Sequence, residues 1–229
     1  MSHRWTVVSF DAGGTLIEPW PSVGQIYAES AAAMGYGPVD AGSLSHQFAG
    51  AWRQAQLDGF NYTRGAWAKV VAHSFHGLVP EPASTALFSD VYERFSCAGC
   101  WRVFADVRST LQALRRAGLR LVVSSNWDER LHPLLTELDL AAQFEAIVTS
   151  LELGFCKPDA RFFRAVAERL GVPAEQILHI GDGEREDVGG PRAAGWSSLW
   201  LRRNVVGKVA ENQLQTLSEA IPRILEGRN

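Results

Sequence analysis

A chain of 229 residues, 46% of them apolar, can hold one large domain, or a core domain with a moderate insert, around a sizeable buried core. Its formal charge of -3 argues against a general affinity for nucleic acid or acidic membrane surfaces. No apolar run is fit to span a bilayer and the N-terminus has no signal-peptide pattern, so a cytoplasmic protein is expected; Cys97, Cys100 and Cys156 make no disulfide framework.

In chain order, Arg4 to Phe10 reads as a short buried strand, β-branched and aromatic, stopped by turn formers. It delivers one carboxylate, Asp11, into the turn Ala12-Gly13-Gly14-Thr15, where glycines permit close ligand approach. From Pro19 to Cys100 apolar residues recur at helical spacing in Val23–Met34, Leu44–Leu57, Ala66–Phe75 and Ala83–Phe95. These predict a small four-helix bundle inserted after the first strand. Its aromatics, among them Trp20, Tyr27, Phe48, Trp52, Phe60, Tyr62 and Trp67, are assigned to the bundle core, with one or two open to a ligand. The spacings Cys97-x-x-Cys100 and His73-x-x-His76 allow a four-ligand zinc site on paper; reduced, packed cysteines near a hinge are the expectation.

From Arg102 a strand–helix rhythm takes over. Helices are expected over Val107–Ala117, Arg130–Leu138, Ala160–Leu170 and Asp187–Gly195, and strands over Leu119–Ser125, Phe144–Thr149, Gln176–Ile180 and Ser197–Leu201. A closing helix is expected over residues 214–226 despite Pro222. This alternation implies an α/β fold with a doubly wound parallel sheet, whose ligands sit beyond the carboxyl ends of the strands. Asp11, Ser125-Asn126 and Asp182 then share one rim, with Lys157, one of only three lysines, on a neighbouring loop.

That set suits phosphoryl transfer through a covalent aspartyl-phosphate. Asp11 attacks phosphorus. Lys157 and a Mg²⁺ held by Asp11, Asp182 and a backbone carbonyl offset the repulsion between two anions. Ser125, with Asn126 beside it, and the backbone N–H groups of Gly13 to Thr15 hold the phosphoryl oxygens. Asp187 orients Lys157 or a metal-bound water, or else serves only as a helix N-terminal acid.

With those residues in order, the chain resembles the haloacid dehalogenase (HAD) superfamily of hydrolases. The resemblance rests on Phe10-Asp11-Ala12-Gly13-Gly14-Thr15-Leu16, Val123-Ser124-Ser125-Asn126, Gly154-Phe155-Cys156-Lys157-Pro158-Asp159 and Gly181-Asp182 through Asp187, closed by Ala193-Ala194-Gly195. Ser125-Asn126-Trp127-Asp128 and Gly190-Pro191-Arg192-Ala193 resemble its domain-containing protein 3 type. The resemblance implies a Rossmann-like core (residues 1–18 and 101–229) with a C1-type helical cap (19–100). It also implies Asp11 as nucleophile, Ser125 as phosphate ligand, Lys157 as charge stabiliser, and Mg²⁺ on Asp11, Asp182 and the Gly13 carbonyl.

One position departs from that pattern. The family's phosphatases carry a second aspartate, the general acid and base, where this chain has Gly13. General acid–base catalysis is worth about 10²–10⁴ in rate, so a phosphatase built this way is slow or restricted to good leaving groups. Two alternatives stand beside it: a module that binds small phosphorylated ligands or partners without turnover, and a 2-haloacid dehalogenase.

Overall fold

The structure is a computed structural model that describes residues 4–80 and 83–226. Its chain divides into two compact units, one holding the residues up to Glu18 and from Val103 onward, the other Pro19–Arg102. No helix among the described residues is long and apolar enough to cross a membrane.

The first unit opens with β1 (Val7–Phe10), every residue of which is buried. β2 (Ile17–Pro19) follows, and pairs with β3 (Trp101–Val103) as a two-stranded sheet. Neither strand was expected, because three residues are too few to show a period. Between them the second unit contributes α1 (Val23–Ala33), α2 (Ala41–Leu57), α3 (Arg64–Phe75) and α4 (Ala83–Arg94). The Ser22, Asp40 and Thr63 side chains cap the first three of these, accepting from the backbone N–H groups of Gln25, Ser43 and Ala66. Capping explains why α2 and α3 start ahead of the first apolar residues that announced them. Tyr27, Leu44, Val71, Phe75, Leu87 and Val91 meet in the core of this unit. Trp52 and Trp67 stack with centroids 5.1 Å apart in a second aromatic group. Phe60, which meets both rings edge-on, also lines a cavity of about 530 Å³ with Asn61, Lys69 and His73.

After β3 the first unit runs α5 (Val107–Arg116), β4 (Arg120–Ser125), α6 (Leu131–Glu137), β5 (Ala146–Thr149), α7 (Ser150–Leu153), α8 (Ala160–Leu170) and β6 (Ile177–Gly181). A π-helical turn (Glu184–Gly189), α9 (Gly190–Ala193), β7 (Ser197–Leu201), β8 (Gln213–Leu214) and α10 (Ala220–Leu225) complete it. The strands form one six-stranded sheet in the order β5-β4-β1-β6-β7-β8, with every pairing parallel. This is the doubly wound sheet that the strand–helix rhythm predicts. Amphipathic helices cover it: α8 buries Phe162, Phe163, Val166 and Leu170, at helical spacing, against Val7, Val122 and Ile177. Each such side chain is worth about 1.5–3 kcal/mol of burial.

Two expected helices differ. The one expected from Asp187 begins at Glu184 as a π-helical turn and continues into α9. The one expected from residue 214 is helical only from Leu217, because Gln213-Leu214 add the edge strand β8. Pro222 lies in the first turn of α10, where a backbone N–H has no intrahelical acceptor to lose.

Candidate active site

The parallel sheet brings the carboxyl ends of β1, β4 and β6 side by side. The Asp11 N–H donates to the Ile180 carbonyl at 2.9 Å, holding the residue after β1 against β6. Ser125 closes β4, and its hydroxyl donates to Asp11 Oδ1 at 2.8 Å. Lys157 reaches in from the loop before α8, with only 3% of its surface exposed. Its ammonium donates to Asp11 Oδ1 at 2.7 Å and to Asp187 Oδ1 at 2.5 Å. Asn126 clamps the Lys157 backbone from both sides, accepting from its N–H at 2.7 Å and donating to its carbonyl at 2.9 Å.

Two glycines make room for the other acids. Gly14 has φ +71°, a conformation side chains rarely adopt, and a Cβ there would fall 2.2 Å from Asp182 Oδ2. A Cβ on Gly181 would fall 2.3 Å from Asp187 Cγ, so the Asp187 side chain folds back over that glycine. Gly183 N–H fastens the other Asp187 oxygen at 2.8 Å. Oxygens of Asp11, Asp182 and Asp187 all lie within 4.8 Å of one another.

Three carboxylates around one ammonium leave surplus negative charge. Burial pushes the Asp11 carboxyl above its ordinary acidity against the pull of Lys157, and Asp187 adds to the rise. Asp182 reaches the surface, but its carboxylate abuts the other two; it is pushed up to about 7, first by desolvation and then by Asp11 and Asp187. Asp187 goes the other way. Burial would raise it, yet Lys157 and His179 together hold it well below the carboxylate range. Burial alone would lower the Lys157 ammonium, and the two aspartates reverse that.

The sequence placed Asp11, Ser125, Asn126 and Asp182 on one rim with Lys157 on a neighbouring loop, and the structure brings these five together with Asp187. The turn after Asp11 differs from expectation. The N–H groups of Gly14 and Thr15, assigned to a ligand, donate instead to the carbonyls of Ile17 at 2.9 Å and Ala12 at 3.3 Å. Thr15 is fully buried, and Arg203 donates to its carbonyl at 2.7 Å. A turn this tight must satisfy its own interior groups. The N–H groups of Ala12 and Gly13, and the Gly13 carbonyl, have no partner among the described residues.

Sequence reasoning missed the ring beside Gly13 and the histidine behind Asp187. Gly13 has no left-handed φ to require glycine, but a Cβ there would stand 3.2 Å from Cζ3 of the Trp127 indole. His179, fully buried on β6, donates or accepts at both ring nitrogens; a lone histidine inside an apolar strand was the available signal. Among the described residues, Asp11, Asp182 and Asp187 form the only group of three or more metal-ligating side chains within reach of one ion. His73, His76, Cys97 and Cys100 do not come together in such a group.

The family model for haloacid dehalogenase-like hydrolases matches residues 5–195. The chain belongs to this HAD-like hydrolase family. It is similar to the mouse (Mus musculus) haloacid dehalogenase-like hydrolase domain-containing protein 3, 34% identical over 98% of this chain and 96% of that one. A phosphoglycolate phosphatase of Agrobacterium fabrum is 28% identical over 81% of this chain and 76% of its own. Among solved structures, a Bacillus subtilis HAD-hydrolase bound to magnesium superposes with a TM-score of 0.81, covering 97% of this chain and 99% of that one at 18% identity. The HAD fold is thus shared well beyond recognisable sequence identity. In this HAD-like hydrolase the acidic group lies at the carboxyl ends of the strands, the side on which open α/β sheets take their ligands.

Proposed function

We propose that this HAD-like hydrolase is a Mg²⁺-dependent phosphatase, acting through an aspartyl-phosphate on Asp11 and confined to small phosphorylated substrates with good leaving groups. The observation that carries this reading is the Lys157 ammonium between Asp11 and Asp187, with Asp182 completing three carboxylates within 4.8 Å. One monocation does not neutralise that group, and an all-oxygen donor set suits a hard divalent ion. Asp11, Asp182 and the Gly13 carbonyl would hold Mg²⁺, which when bound would offset charge on the phosphoryl oxygens. Phosphatase activity in a 28%-identical relative is consistent with it. Displacement of halide from carbon has no use for Asp182.

The chain's own residues then divide the work. Asp11 Oδ1 is held by Ser125 and Lys157, so Oδ2 is the oxygen that these two bonds leave for the attack. A carboxylate oxygen bonds to phosphorus as the ester P–O bond breaks, and the leaving group departs with the bonding pair. The Ala12 and Gly13 N–H groups, with Ser125 and Lys157, hold the phosphoryl oxygens. Water then attacks phosphorus, releasing phosphate and restoring the carboxylate. No side chain at position 13 moves a proton in either step, so stabilised phenolates leave more readily than alkoxides.

p-Nitrophenyl phosphate tests the reading directly: release of nitrophenol is expected with Mg²⁺ and not in EDTA. Its absence under both conditions, at any protein concentration, points to the ligand-binding module instead. Protons compete with the ion for Asp182, whose acidity lies at about 7. The apparent Kd for Mg²⁺ should therefore weaken by about tenfold per pH unit below about 7 and level off above it. A calorimetric titration with the same Kd across that range would remove Asp182 from the ligand set.

Gly13→Asp supplies the missing acid but sets its Cβ against Trp127. The single substitution is expected to gain little with an alkyl phosphate. Gly13→Asp with Trp127→Ala should raise kcat on that substrate toward the 10²–10⁴-fold range of general acid catalysis, to within about an order of magnitude. A folded double variant with the wild-type rate would show that proton transfer does not limit turnover.

A further inference from the structure

On one face of the sheet the residues run in layers. Val7, Val122 and Ile177 belong to the apolar core, and the residues two further on, Ser9, Ser124 and His179, lie on the same face one step nearer the rim. Ser9 is the register partner of His179 across β1 and β6. All three are buried, between the apolar core and the carboxylates. Their polar atoms form one chain: Ser124 hydroxyl to Ser9 hydroxyl, Ser9 Oγ to His179 Nδ1 at 2.9 Å, and His179 Nε2 to Asp187 Oδ1 at 3.0 Å. Phe163 and Trp196 meet the imidazole edge-on, with centroids 6.2 and 6.3 Å away, and hold its plane.

The direction of this chain follows from its end. Asp187 is held ionised and can only accept, and burial keeps the imidazole neutral, so Nε2 carries the proton. Nδ1 then accepts from Ser9, and Ser9 accepts from Ser124. Asp187 Oδ1 takes Lys157 and His179 together while Oδ2 takes Gly183 N–H, which leaves the carboxylate no freedom to rotate. A charged partner aimed in this way is worth most in a dry interior.

We infer that His179 is a positioning residue: through Asp187 it holds the Lys157 ammonium in line with Asp11. The inference rests on the phosphatase reading of the same site. Outer partners that orient metal ligands cost about 10–100-fold in activity when removed, and His179 orients Asp187 through the same kind of bond. His179→Leu is therefore expected to lose about 10–100-fold in kcat on p-nitrophenyl phosphate with KM within about twofold. His179→Gln, whose amide nitrogen replaces the Nε2 donor, should recover most of the kcat. A merely structural histidine would lower the Tm in both variants and leave kcat per folded molecule unchanged, and that result overturns the inference.

A second measurement needs no turnover. Long-range ¹H–¹⁵N spectra of the wild type should show His179 as the neutral Nε2–H tautomer, and the buried Lys157 ammonium signal should shift in His179→Leu and not in His179→Gln. An Nε2 that carries no proton, or a Lys157 signal indifferent to both substitutions, overturns the inference. A wild type that shows these signals but hydrolyses nothing sinks the phosphatase reading and leaves the His179–Asp187–Lys157 linkage standing.

Discussion

Asp11→Asn is expected to remove turnover of p-nitrophenyl phosphate, by about 10⁴-fold or more, the scale on which loss of a covalent nucleophile acts in hydrolases. An amide oxygen still accepts from Ser125 and Lys157, which bond Asp11 Oδ1 at 2.8 and 2.7 Å, so the site keeps its shape while losing its reacting group. The substitution also removes a carboxylate whose ionisation is opposed by burial and by Asp187. The Tm of the variant should therefore equal or exceed that of the wild type. Activity surviving in a folded Asp11→Asn protein would transfer the nucleophile's role elsewhere.

Lys157→Met is expected to produce the largest loss of stability. It strips the ammonium from between Asp11 and Asp187, leaving buried carboxylates to face one another. Breaking one side of a buried pair costs about 3–5 kcal/mol, which for a chain of this size lowers the Tm by about 10 °C. The pH dependence has a definite sign. Asp187 is depressed in the folded wild type, so its contribution is present above the unfolded carboxylate pKa and disappears as pH falls through the folded one. Without Lys157 that contribution is lost and the neighbouring acids repel until they take up protons. The deficit against wild type should then be full near about pH 7.5 and smaller near about pH 5. Mg²⁺ should restore part of it at neutral pH, in proportion to its binding. Equal Tm values for the two proteins at neutral pH, read by thermal melts, would show that Lys157 is not needed to balance the carboxylates.

Much of the candidate site was legible because its parts sit at recurring places in a local pattern. Asp11, Ser125 and Asp182 each end or follow a predicted strand, and a parallel sheet gathers strand ends on one side. His179 and Ser9 were not legible in that way. They are 170 residues apart and sit inside strands, where a polar residue gives no sign of what it faces until the register is known. Trp127 was equally hidden: only its packing beside Gly13 shows that the place of the usual acid is partly taken by a ring. The N–H groups of Gly14 and Thr15 looked available because glycine-rich turns often bind anions, but hydrogen bonds within the turn use both.

The sequence by itself determined the alternation of strands and helices, the helical insert, the order of the four motifs and the absence of an acid at position 13. All of these are local in the chain, carried by spacing, periodicity and residue type. Only the tertiary structure decided that Lys157 meets Asp11 across 146 residues and Asp187 across 30, that the acids outnumber the cation, and that a buried histidine stands behind them. Those facts depend on which strand neighbours which and in what register, and on how much water is excluded around the charges. Both are properties of the packed sheet and of no single segment.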